Sequence, residues 1–364
     1  PAAAQAGPTS TGQEVVLGGE NNRLNAYDTT TGAKHTVIPS STDSPDGLDI
    51  NAEICFVPDG VSWKPDGEIW FIAGEDTEQN SEPGIIKQGW GFFRLEGTSL
   101  DELRATQVGK LVPDSFVTTT DNPENYGCGV LPDGRVVTGD VGDQFPQDPA
   151  TGQLIEWFPT PAAFTGAIGP DRNDFPRVAH CKIDVTLGTA GGILVDGTDV
   201  FIATNRPNLE TLDLGGIYRF DSRIWPTGET ADDGCGRTDQ SGQQLADADK
   251  VGRSLFIPQL PPLVTTPSDI VDSGHGTYYV SSVLTGQVAE FGRDGVFRRF
   301  VLLDTGIAGG ITPFGLAVDR SGTLWIADIG ARTPEPVDGE GSIVRVRFDG
   351  AGNPMPPEVI DQGL

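Results

Sequence analysis

Five short segments of one pattern, spread from residue 59 to residue 328, constrain this chain more than any other feature. They read DGVSWKPDGEIWFIAG at 59–74, GCGVLPDGRVVTGD at 127–140, GGILVDGTDVFIAT at 191–204, SDIVDSGHGTYYVSS at 268–282 and FGLAVDRSGTLWIAD at 314–328. Each is an apolar run, a turn with Asp or Ser ahead of Gly, and a second run rich in β-branched and aromatic residues. That is the turn chemistry of a β-hairpin. Both runs are mostly apolar instead of alternating, so both faces of each hairpin need cover. The inner strands of a β-propeller blade get it from the blades on either side.

The turn glycines Gly67, Gly134, Gly197, Gly276 and Gly322 are spaced by 67, 63, 79 and 46 residues. A four-stranded blade takes about 40–50 residues, so the longer intervals carry long inter-strand loops, at 75–90, 143–152, 159–178, 206–215 and 229–253. Outer strands follow each hairpin at Gly91–Leu95, Gln153–Phe158, Gly216–Phe220, Gln287–Phe291 and Ser342–Phe348. A sixth blade draws three strands from the N-terminus: Glu14–Gly18, Arg23–Asp28 and Lys34–Ile38. Glu358–Asp361 serves as the outermost strand of the blade before it, so the sixth blade is one innermost strand short by this count. A neighbouring chain completing the blade is one expectation that follows. The sequence thus specifies an all-β, six-bladed propeller, a single domain over 13–364 behind a flexible tail at 1–12.

Charge limits the partners. Fifty-two acids against 24 bases give a formal charge of −28. Nucleic acid and anionic lipid need Lys/Arg patches and are excluded as partners. A cation, or a small neutral molecule or glycan, suits such a surface. No apolar run approaches the 18 residues of a membrane-spanning helix. Four cysteines, Cys55, Cys128, Cys181 and Cys235, contain no C-x-x-C pair. An even count in an acidic, lysine-poor chain implies two disulfides, with three pairings open, and an oxidising compartment. Ala4-Gln5-Ala6 has the A-x-A form of a signal-peptidase site, so the expectation is a secreted protein.

The residues Phe314-Gly315-Leu316-Ala317-Val318-Asp319 and Gly322-Thr323-Leu324-Trp325-Ile326-Ala327-Asp328 resemble an NHL-type blade, and resemble the hairpins of the six-bladed gluconolactonase (senescence-marker) and paraoxonase-like propellers. Asp59-Gly60-Val61-Ser62-Trp63, followed by Gly67-Glu68-Ile69-Trp70, is similar to the opening of gluconolactonases. The resemblance implies a divalent metal, most often calcium, at the top of the central channel, held by Glu, Asn and Asp at the starts of innermost strands. Aligned on the turn glycines, the matching ligands are Asp59, with Asn125 and Asp269 within one or two positions. It also implies metal-assisted hydrolysis of a lactone or related ester. A rim carboxylate, Glu53 or Asp143, then acts as general base. Further acids at the rim are Glu75, Asp76, Glu124, Asp140 and Asp328. The rival reading is a non-catalytic extracellular binding or scaffold propeller.

Several chemistries are absent from the sequence. Three histidines, of which His180 alone sits close ahead of an inner strand, cannot build a four-histidine iron centre or support a His–His dyad. There is no G-x-S-x-G elbow, phosphate-binding loop or HExxH. A phytase lacks its clustered bases here, and a quinone cofactor would find only Lys182 and Arg206 near the channel.

Overall fold

In the computed structural model the described residues are 5–8, 13–20, 22–44, 47–76, 88–111, 125–140, 153–164, 176–184, 187, 189–208, 213–228, 251–259, 264–283, 285–302, 305–307, 310–330 and 341–363. They build six antiparallel four-stranded sheets. Blade 1 is β1 (Gln5–Pro8), β2 (Glu14–Glu20), β3 (Arg23–Asp28) and β4 (Lys34–Ile38). Blade 2 is β5 (Ile50–Phe56), β6 (Ile69–Asp76), β7 (Gln88–Glu96) and β8 (Arg104–Leu111). Blade 3 is β9 (Asn125–Val130), β10 (Val136–Asp140), β11 (Gln153–Phe158) and β12 (Ala179–Asp184). Blade 4 is β13 (Thr189–Asp196), β14 (Asp199–Asn208), β15 (Asp213–Asp221) and β16 (Ser254–Pro258). Blade 5 is β17 (Pro267–Asp272), β18 (Thr277–Ser282), β19 (Gln287–Gly292) and β20 (Phe297–Phe300). Blade 6 is β21 (Pro313–Val318), β22 (Leu324–Asp328), β23 (Ser342–Val346) and β24 (Glu358–Gln362).

Each blade runs inside to outside in chain order, and the first strands β1, β5, β9, β13, β17 and β21 contact one another around the central channel. All six first strands start at the same end of the channel, its upper mouth, and finish at the face carrying the hairpin turns. The core is a series of apolar layers between adjacent blades, such as Leu131, Val137, Ile193, Val200 and Ile202 between blades 3 and 4. This is the two-sided burial that the apolar runs require. Gly134 shows why the turns need glycine. Its φ is +91°, a backbone state costly for other residues, and its carbonyl accepts from Trp63 Nε1 at 2.7 Å.

Two expectations are corrected. The sixth blade is not short of a strand and needs no neighbouring chain: Gln5–Pro8, inside the segment expected to be a flexible tail, pairs antiparallel with β2 as the innermost strand. In blade 2 the innermost strand is Ile50–Phe56, ahead of the segment that begins at Asp59. Residues 59–65 instead form turns between β5 and β6. Trp63 there is not a strand residue but a wedge, packed on Trp70, Phe92 and Phe164. Of the expected long loops, 77–87, 141–152, 165–175, 209–212 and 229–250 lie outside the described residues.

Candidate functional site at the upper mouth of the channel

An innermost strand has one edge with no partner strand, and its amides face the channel. Unpaired, such buried N–H groups are costly. Two carboxylates satisfy four of them. Glu53 on β5 accepts through Oε2 from the amides of Cys128 on β9 and Ile193 on β13, both at 3.0 Å. Asp269 on β17 accepts from its neighbour Ile270 through Oδ1 at 2.7 Å and from Leu316 on β21 through Oδ2 at 2.6 Å. Blades 2 and 5 are opposite in a six-membered ring, so the two carboxylates approach the axis from facing sides. Glycines make the room: a Cβ on Gly127 would sit 3.0 Å from Glu53 Oε2, and one on Gly192 would collide with the Asp269 carboxylate.

Both groups are buried, with Glu53 8% and Asp269 1% exposed. Burial, and then the Asp269 charge, hold the Glu53 carboxyl well above the usual carboxylate range, against the pull of its two amides. Burial pushes Asp269 up to about 7, its own amides offsetting part. The two titrate as a unit, and near neutrality the pair retains protons.

Above this pair lies a second one. Tyr126 on β9 and Phe314 on β21 come from blades 3 and 6, also opposite, and their ring centroids are 4.8 Å apart with planes at 55°. Each precedes by two residues an amide that binds a carboxylate, Cys128 or Leu316. Two strand residues span about 7 Å, which sets the rings one layer nearer the mouth. The Phe314 carbonyl accepts from Ser268 Oγ at 2.7 Å and Ser281 Oγ at 3.3 Å.

The site residues expected from sequence divide as follows. Glu53 and Asp269 meet in the channel. Asn125 begins β9 at the upper end. Asp143 and Glu124 lie outside the described residues. Asp59 is a correction. It follows β5 on the turn face, its side chain is 92% exposed, and Lys64 Nζ pairs with it at 2.7 Å, holding its carboxyl below the usual range. It was misplaced because Trp63 mimics a strand aromatic. Glu75 pairs with Lys110 at 3.4 Å and Gln107 at 3.0 Å inside blade 2. Asp328 caps the amides of Thr312 and Gly330 and accepts from Ser342 Oγ. Neither belongs to a converging rim. His180 lies on β12, the outermost strand of its blade, buried and packed against Trp157 with ring centroids 4.6 Å apart, away from the channel. Sequence reasoning missed Tyr126 and Phe314 as a pair, because only the opposite placement of β9 and β21 brings the two rings together.

The donor set suits a hard divalent cation in kind. Two carboxylates offer about eight lone-pair positions, of which the amides take four. A magnesium-like ion is held by one or two carboxylates with water completing its shell. Among the described residues no third His, Cys, Asp or Glu joins the two in a metal-sized cluster. Among the described residues, two open grooves lie on the turn face. One of about 800 Å³ is lined by Glu14, Asp28, Arg320 and Arg347, and one of about 300 Å³ by Gly7, Asp272 and Asp319.

No family profile and no curated protein matches the sequence. Solved structures do match. A luciferin-regenerating enzyme superposes with a TM-score of 0.51 at 11% identity, over 98% of this chain and 90% of that one. What this likeness shows is the fold. The PQQ-bound aldose sugar dehydrogenase of Streptomyces coelicolor matches at 0.48 and 12%, covering 95% and 94%. Regucalcin, a calcium-binding protein from Agrobacterium tumefaciens, matches at 0.49 and 11%, covering 90% and 81%.

Proposed function

We propose that this propeller is a secreted hydrolase of a lactone or related ester, with its reaction centre at the upper mouth of the channel. The observation that carries the reading is the facing pair of buried carboxylates, Glu53 and Asp269, with raised proton affinities. Asp269, with Asn125 at the top of β9, would hold a divalent cation, calcium first among candidates. A bound cation would polarise the substrate carbonyl. With a cation in place of the pair's protons, Glu53 would be ionised and would take the proton of the attacking water, its raised proton affinity suiting a general base. The amides of Cys128 and Ile193 fix its orientation. Asp143 remains a proposed second base. The Cys55–Cys128 disulfide supports an oxidising compartment, and among the described residues no helix is long and apolar enough to cross a membrane.

Linkage sets the test. The folded pair binds protons that the unfolded chain has lost, so its contribution to stability is present below about pH 4, and the Asp269 share is lost as pH rises through about 7. A cation replaces those protons, so calcium should bind more tightly at pH 8 than at pH 6. At a hundredfold excess over Kd it should stabilise by about 2.7 kcal/mol. Asp269→Asn should abolish most of that gain, and Glu53→Gln should remove lactone hydrolysis. Melting curves in calcium and in chelator, with a lactone panel, check both. A melting temperature blind to calcium, with every lactone intact, sinks this reading. The binding-propeller reading would then stand. It is favoured by the Tyr126–Phe314 contact across the channel axis.

A further inference from the structure

We infer that Tyr126 and Phe314 are the specificity-determining residues of the channel mouth: they gate the Glu53–Asp269 pair and select neutral, ring-shaped ligands. The inference takes its site from the reading above, but the gate requires neither cation nor catalysis.

The rings come from opposite walls and touch over the axis, so a ring-sized ligand entering from the upper mouth must part them to reach the carboxylates. A ligand ring sandwiched between two aromatic faces needs about 7 Å between them, two van der Waals contacts of ~3.5 Å each. The centroids are 4.8 Å apart and tilted at 55°. One ring must therefore swing aside. The Phe314 backbone is pinned from blade 5 by Ser268 and Ser281, so its opening is a side-chain rotation, not a strand movement. Once parted, the rings offer apolar faces with a polar pair one layer below. An anion is disfavoured by the carboxylates and by the overall charge of −28. A flat hydrophobe would bring nothing to the polar layer. A neutral ring with C–H faces and hydroxyl edges, a sugar lactone or glycan sugar, matches both layers.

Access is measured by carbodiimide coupling of a small amine to Glu53 and Asp269, read by peptide mass spectrometry. Tyr126→Ala and Phe314→Ala should each raise the labelling rate at least tenfold, with Tyr126→Phe close to wild type. Ligand choice is read by calorimetry with a hexono-δ-lactone, a methyl hexoside and an open-chain hexitol. Wild type should favour the rings over the hexitol, and Tyr126→Leu, which keeps bulk without an aromatic face, should lose at least tenfold in ring affinity. Native circular dichroism for each variant confirms that it is folded. Equal labelling of wild type and both alanine variants would overturn the gate. Ring binding that Tyr126→Leu leaves unchanged, or no ring binding by wild type, would overturn the selection. Gated labelling and ring binding without hydrolysis would leave this inference standing and remove only the hydrolase.

Discussion

Glu156 is wholly buried on β11, and its two oxygens have different surroundings. Oε1 accepts from Arg135 Nη1 at 2.6 Å, while Oε2 has no hydrogen-bond partner among the described residues. Burial pushes the carboxyl up to about 8, and Arg135 offsets only part of that. A folded-state value above the unfolded one means the folded protein holds the proton longer. The stability that proton contributes is complete below about pH 4.5 and is lost as pH rises through about 8. Glu156→Gln keeps an acceptor for Arg135 and cannot ionise. Its melting temperature should match or slightly trail wild type at pH 5 and exceed it by several degrees at pH 9. A gap that stays flat from pH 5 to 9 would show that the carboxyl titrates normally. Nothing in the sequence marks this residue: Glu156 looks like any strand carboxylate, and only its burial in the folded blade raises its pKa, against the pull of Arg135. The same holds for Glu53 and Asp269. Their residue types and neighbourhoods were legible, whereas their meeting across the axis depends on which strands face each other.

Strands were the most legible scale, because turn chemistry is local. Gln153–Phe158 and Lys34–Ile38 coincide with β11 and β4, and each expected turn glycine has positive φ. The failures have a shared cause. β5 is followed by a long double turn containing Trp63, and an aromatic wedge reads as a strand residue until its partners across the blade boundary are known. Cysteine pairing was equally beyond local reading. The bridge forms between β5 and β9, which are innermost strands of neighbouring blades, and joins cysteines 73 positions apart. Cys181 is disulfide-bonded as well, and no described cysteine is free. The Cys55–Cys128 bridge closes a long loop, which in the chain-entropy model stabilises by about 4 kcal/mol. It also ties together the two strands that hold Glu53, one by its backbone and one by the Cys128 amide. The double variant Cys55→Ala, Cys128→Ala should therefore lose roughly 2–4 kcal/mol in denaturant melts. It should also weaken calcium binding more than a distant change of equal cost. Loss of stability with unchanged calcium affinity would confine the bridge to a structural role.

Closure of the ring is a property of the whole molecule. Blade 1 comes entirely from the N-terminal segment and blade 6 entirely from the C-terminal one, so no sheet bridges the seam. Side chains do that instead. Val16, Tyr27, Ala317, Trp325, Ala327 and Ile343 form one buried cluster. Tyr27 Oη donates to Asp361 at 3.2 Å, Lys34 pairs with Asp361 at 2.6 Å, and Arg345 Nη1 donates to the Thr29 carbonyl at 3.2 Å. The last element to be placed is β1, which contacts both β21 and β5 and seats Gly7 against the Phe56 ring. Its sequence, Gln-Ala-Gly-Pro, has no β-branched or aromatic residue, so pattern reading counted the blade one strand short. Deleting residues 1–8 tests whether β1 closes the ring or only lines it. Without it, the inner edge of β2 is unpaired, and Val15, Val16 and Leu17, all wholly buried, lie along that edge. An apolar open edge recruits strands from other molecules. The truncated protein should melt at least 5 °C lower and form concentration-dependent oligomers on size-exclusion chromatography. Hydrogen exchange should quicken in 14–28 while 314–328 keeps its protection. If the truncated chain stays monomeric with the full-length melting temperature, the seam cluster around Tyr27 and Trp325 closes the propeller unaided.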